Sequence, residues 1–149
     1  MSELYDLYKK LGNQAYGKAI SEIAPYFANI DPTFIELKPG YCEVSIKNQR
    51  SIHNHLGFIH VIAICNAAEL AAGVVTDVSI PNNRHWIPVG MQTKYLAKAE
   101  SNIRVVANCE HVDWEKTGEI TVPVDAFDAS RKKVFHADID MLVRVKKER

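Results

Sequence analysis

Three polar side chains, His60, Asn66 and Glu69, interrupt an apolar run where chemistry would need them. The stretch reads His53-Asn54-His55-Leu56-Gly57-Phe58-Ile59-His60-Val61, with Asn66 and Glu69 following. Glu69 stands among Cys65, Ala67, Ala68, Leu70 and Ala71. An ionised carboxylate in such surroundings is costly unless it is paired. Two uses justify it: a structural hydrogen bond, here to Asn66 or a backbone amide, or service as a general base.

The residues before the apolar run matter for a second reason. Asn54 or His55 can cap a helix that begins there. The free N–H groups of a first helical turn, with the helix dipole behind them, form a site for a developing oxyanion. That suits acyl transfer, in which a thioester carbonyl becomes a tetrahedral anion. His60 and Glu69 are nine residues apart. At about 100° per residue they point to opposite sides of a regular helix. One chain can hardly aim both at one carbonyl, whereas two chains related by a two-fold axis can.

Leu56 to Gly73 is apolar on nearly every side and reads as a buried helix, with Gly73 as its stop. Before it, Leu4, Leu7, Tyr8 and Leu11 share a helical face. The pattern breaks at Gly12, resumes at Ile20, Ile23, Ala24 and Phe27, and is bent or ended by Pro25. A hairpin follows: residues 34–38 and 41–46 alternate around the turn pair Pro39-Gly40. After the helix come strand candidates at 86–97, 103–111, 119–127 and 134–145. Val105/Ala107/Cys109 and Phe135/Ala137/Ile139/Met141/Val143 form their inward sets. Pro123 marks an edge position or a bulge.

The order therefore predicts an α+β domain spanning residues 1–149: a curved antiparallel sheet wrapped around one long central helix, with an extra N-terminal helix. One sheet cannot enclose a fully apolar helix, so a second copy should close the other side.

Eighteen Lys+Arg balance eighteen Asp+Glu. That zero net charge argues against a nucleic-acid partner bound by phosphate neutralisation. The basic runs at 131–133 and 146–149 read as solvated turns or ends. Three cysteines without CxxC spacing read as core hydrophobes and fit a reducing cytoplasm. The N-terminus carries acids and no apolar run, so no signal peptide is expected. No run of eighteen apolar residues occurs, so no membrane span or membrane partner is expected.

The helix segment resembles the active-site segment of hotdog-fold thioesterases, particularly the phenylacetate-pathway (PaaI-like) group. That pattern has an Asn, a His six positions on, a Gly next, and an acid fifteen positions after the Asn. Asn54, His60 and Glu69 stand at those offsets. The His53–His60 wording, with Asn66-Ala67-Ala68-Glu69-Leu70-Ala71-Ala72-Gly73, is closer still to an uncharacterised branch. Tyr95-Leu96-Ala97-Lys98-Ala99 is similar to the family's Tyr-Leu-x-Pro-Ala strand end.

The resemblance implies an acyl-CoA or acyl-carrier thioesterase working as a homodimer or a dimer of dimers, with no cofactor and no metal. Glu69 would activate water or attack the thioester carbon. The Val61 N–H would bind the carbonyl oxygen, Asn54 would orient water or substrate, and His60 completes the catalytic set. His55, Gly57, Asn66, Lys94 and Tyr95 are the expected substrate contacts, the last two toward CoA. Gln92 and Thr93 face either pocket or solvent. One departure stands out: Val61-Ile62 replaces the family's Gly-Gly and can crowd the substrate.

Two alternatives follow. A 3-hydroxyacyl thioester dehydratase pairs a His with an acid about fourteen positions on, as His55 and Glu69 are. A non-catalytic acyl-thioester binding module is favoured by Val61-Ile62. The three histidines 53, 55 and 60 alone make a weak metal motif. No phosphate-binding Gly-rich loop, GxSxG elbow or dinucleotide fingerprint occurs.

Overall fold

The computed structural model describes residues 2–147; Met1 and the last two residues of the C-terminal basic run lie outside the described residues. Helix α1 (Glu3–Ile23) opens on Ser2, whose hydroxyl accepts the Tyr5 N–H at 3.1 Å. Gly12, at φ 76° and ψ 179°, breaks it into two runs. Pro25 ends it, and the chain continues as a 3-10 helix, Pro25–Ile30. The second run lies close against the following loop. A Cβ at Gly17 would stand 2.0 Å from the Pro32 carbonyl oxygen, so only glycine allows this approach. Tyr16 fills the gap beside it, edge-on to Phe34 with ring centroids 4.7 Å apart, and donates its hydroxyl to the Leu4 carbonyl.

The hairpin forms as its turn chemistry dictates. Strands β1 (Thr33–Lys38) and β2 (Tyr41–Ile46) flank Pro39-Gly40, where Gly40 takes φ 81°. Past the central helix come β3 (Arg84–Tyr95), β4 (Ile103–Asn108), β5 (Gly118–Phe127) and β6 (Lys133–Val145). All six join one antiparallel sheet in the order β1-β2-β4-β5-β6-β3. Its inner face carries the alternating sets read from the sequence, Val105, Ala107, Phe135, Ala137, Ile139, Met141 and Val143 among them, all buried. Pro123 sits in a strand that is internal to the order. The β4–β5 pairing covers only residues 104–106 against 125–127, so its missing N–H breaks no ladder there.

The central helix α2 (Val61–Ser79) corrects the expected span of 56–73 at both ends. Asn54 is the cause at the start. Its Oδ1 accepts the N–H groups of Leu56 and Phe58, at 3.0 and 3.1 Å, and folds residues 54–58 into a tight turn with Gly57 at φ 83°. The cap is therefore His60, whose Nδ1 accepts the Ile62 N–H at 3.1 Å, and neither Asn54 nor His55. At the other end Gly73 does not stop the helix. A Cβ there would lie 2.8 Å from the Trp86 ring, so Gly73 serves a close packing contact.

The further surface expected to close the other side of α2, assigned from the sequence to a second copy, is in part supplied by the chain itself. Leu70 to Thr76 is buried within one chain, with the sheet on one side and α1 and the 3-10 segment packed on the other. The N-terminal half keeps an open face of Val61, Ile62, Ala63, Cys65, Asn66 and Glu69. No unbroken run of eighteen apolar residues occurs in α2, but by length and mean composition the helix is apolar enough to cross a membrane. In this fold it forms the core that the sheet wraps. Cys42 and Cys109 are buried, and desolvation raises both thiols, that of Cys109 to about 12.

Candidate active site

The head of α2 opens into a cavity of about 350 Å³. Asn54, His55, His60, Val61, Tyr95 and Lys98 line it. The Val61 N–H is the first of the helix. Unlike the Ile62 N–H, which His60 takes, and the Ala63 N–H, bonded to the His60 carbonyl, it has no acceptor among the described residues. A free backbone donor thus sits at the positive end of a nineteen-residue helix. Because its Nδ1 is an acceptor, neutral His60 carries its proton on Nε2 and offers a second donor.

The Val61-Ile62 departure is milder than its sequence implies. Val61 borders this cavity, whereas Ile62 lines a neighbouring one with Tyr26, His53, His60 and Asn66. Asn66 there holds its Nδ2 3.4 Å from the Tyr26 carbonyl, and its Oδ1 is buried without a partner among the described residues. His53 bonds Asn48 through Nε2, and among the described residues no His, Cys, Asp or Glu cluster is spaced to hold a metal.

Register separates the expected CoA contacts. Tyr95 and Thr93 pair with Phe135 and Ala137, whose side chains point inward, so both face α2. Lys94 and Gln92 pair with His136 and Asp138 on the outer face. Lys94 therefore does not line the cavity. The cation that does is Lys98, just past the strand, with Nζ 5.2 Å from the Phe58 ring centre. Gly57 shapes the 54–58 turn rather than lining the cavity.

Glu69 lies elsewhere. It borders a separate, almost wholly apolar cavity of about 220 Å³, with Ile23, Phe27, Gly73, Trp86 and Pro88. It is half-buried, and among the described residues it has no hydrogen bond to Asn66, to a backbone amide or to any cation. The structural use considered from the sequence is thus not made within one chain. His55 and Glu69, the pair a dehydratase would need, also border different cavities.

Solved structures share this architecture. The crystal structure of the genomics target APC5556 is 47% identical, covers 96% of this chain and 97% of its own, and matches with a TM-score of 0.89. The thioesterase HI1161 from Haemophilus influenzae matches at 0.75 with 9% identity, over 89% of this chain and 92% of its own. The smu.793 protein from Streptococcus mutans, bound to acetyl CoA, matches at 0.66 with 17% identity, over 77% and 90%. At such identities the last two speak for the fold, which is the hotdog fold. Among curated proteins no relative matches. The model of the family described as Domain of unknown function (DUF4442) matches residues 12–143, and the chain belongs to that family.

Proposed function

We propose that this protein hydrolyses acyl-CoA or acyl-carrier thioesters in a site assembled from two copies of the chain. The observation that carries the reading is the unused Val61 N–H at the head of α2, on a residue that borders one cavity together with Lys98. One copy supplies this donor and the other supplies Glu69. Water, its proton taken by the Glu69 carboxylate, forms the new C–O bond. The carbonyl oxygen becomes an oxyanion held by the Val61 N–H. Collapse breaks the C–S bond, and the proton passes from Glu69 to the departing thiolate. Asn54 and His60 shape and polarise the head cavity, while Lys98 and Tyr95 face the thiol carrier.

The sheet supports pairing of copies. β3 is an edge strand of twelve residues, bonded among the described strands only to β6, and it exposes Ile87, Val89, Met91 and Tyr95. Monomers avoid long apolar edges of this kind. A second β3 along it would extend the sheet and bring the open face of one α2 toward its counterpart. Three free thiols fit a reducing, cytoplasmic setting.

Release of free thiol from a panel of acyl-CoAs, aliphatic and aromatic, tests the reading. The wild type turns over and Glu69→Gln loses about a hundredfold or more, as removal of a general base costs. Thiol release by neither protein contradicts hydrolysis. Interconversion of 3-hydroxyacyl and enoyl thioesters would replace it with dehydration, and ligand-induced stabilisation without turnover with a binding role.

A further inference from the structure

The cavity beside Glu69 has a built end. Glu69 and Gly73 are one turn apart on α2 and both line it, about 6 Å apart along the axis. α2 contributes Val74 and nothing beyond. There the Trp86 indole lies across Gly73, close enough that a Cβ would collide with it. The ring is fixed from its far side too: Nε1–H donates to Asp77 Oδ1 at 2.8 Å, one further turn along the helix. Phe27 and the largely exposed Ile23 line it on the side of α1 and the 3-10 segment. The pocket thus has one carboxylate, otherwise apolar walls, and a clamped indole a turn of α2 away from that carboxylate.

We infer that Trp86, clamped by Gly73 and Asp77, is the floor of an acyl-chain pocket and sets the longest chain the protein accepts. This rests on the thioesterase reading, in which the acyl carbon is attacked beside Glu69 and the chain must continue into whatever adjoins it. The neutral acyl group suits an apolar wall, and the walls offer it no polar partner. An apolar cavity of about 150 Å³ holds benzene. The cavity here, about 220 Å³, therefore fits a medium aliphatic chain of about six to nine carbons.

Two measurements test this. First, acyl-CoAs from acetyl to palmitoyl are compared by kcat/KM in wild type, Trp86→Leu and Trp86→Phe. The wild type peaks at hexanoyl or octanoyl. Trp86→Leu raises the dodecanoyl-to-hexanoyl ratio about tenfold or more, on the scale that added methylenes discriminate. Trp86→Phe, which keeps an aromatic ring but loses the Asp77 bond, moves it less in the same direction. Second, non-hydrolysable S-alkyl-CoA thioethers are titrated into Trp114→Phe protein while Trp86 emission is followed. Emission changes on binding, and affinity rises to the medium chains and then falls. Thioethers that fail to bind, or bind without altering Trp86 emission, overturn the pocket, as does a chain-length order that Trp86→Leu leaves in place. An emission response in a protein that hydrolyses no thioester supports the pocket and defeats the proposed activity instead.

Discussion

His60 and Glu69 stand nine residues apart at the head and middle of α2, and they open into different cavities. Nine residues of helix rise about 14 Å. A reacting carbonyl must lie within about 3 Å of both its oxyanion donor and its base or water. Within one chain that is impossible for Glu69 and the Val61 N–H beside His60. The open face of α2 between them, centred on Ile62 and Cys65, is where a counterpart helix would have to approach.

The Val61 N–H can be removed without removing the helix. Val61 is the first helical residue, a position that proline favours. His60 already has the extended backbone, φ −63° and ψ 132°, that a residue before proline needs. Val61→Pro should melt near the wild type yet lose about a hundredfold to a thousandfold in kcat, the cost of one oxyanion donor. Val61→Ala, which keeps the N–H, should retain activity. Equal activity in the Pro and Ala variants would remove this amide from the site.

Gly17 is the hinge on which α1 docks. A methyl at this position meets the Pro32 carbonyl oxygen at 2.0 Å, and backbone rather than a flexible side chain must yield. Gly17→Ala should destabilise the fold by about 1–3 kcal/mol, as overpacking does, despite alanine's better helix propensity. Urea unfolding measures it. A stability gain would mean that α1 does not pack here.

His136 links stability to pH on the outer face of the sheet. Its Nδ1 lies 2.7 Å from Asp125 and its Nε2 3.2 Å from Asp138, with Lys133 also on Asp125. The bond to Asp125, ahead of that to Asp138, raises its pKa above the ordinary histidine value. A raised value means the protonated ring is favoured by folding. The contribution is complete below about pH 6.5 and lost as pH rises through the folded value. The melting temperature of the wild type should fall across that window relative to His136→Asn. Parallel profiles would show that the pair contributes nothing.

Much of this architecture was legible because it rests on local chemistry. Pro39-Gly40 made the hairpin readable, Gly12 and Pro25 the breaks in the first helical segment, and period-two runs such as residues 135–143 the inner face of the sheet. The start of α2 was not. Leu56, Phe58 and Ile59 look like helix to a hydrophobic count, but the Asn54 side chain captures two of the N–H groups and turns the chain aside. Gly73 read as a stop because its reason for being glycine, the Trp86 ring, is far away in sequence. Lys94 and Lys98 could be told apart only by register against β6. That α1 would cover half of α2 depended on packing that no periodicity encodes.

Hybrid dimers test the shared site most directly. On the proposed reading Glu69→Gln lacks the base and Val61→Pro lacks the oxyanion donor, and each alone should be nearly inactive. Co-expressed with different affinity tags and purified as the mixed dimer, they carry one site with both groups intact. The account predicts that this hybrid releases thiol from acyl-CoA at a rate far above either parent. A verified hybrid as inactive as its parents would contradict a site built from two chains.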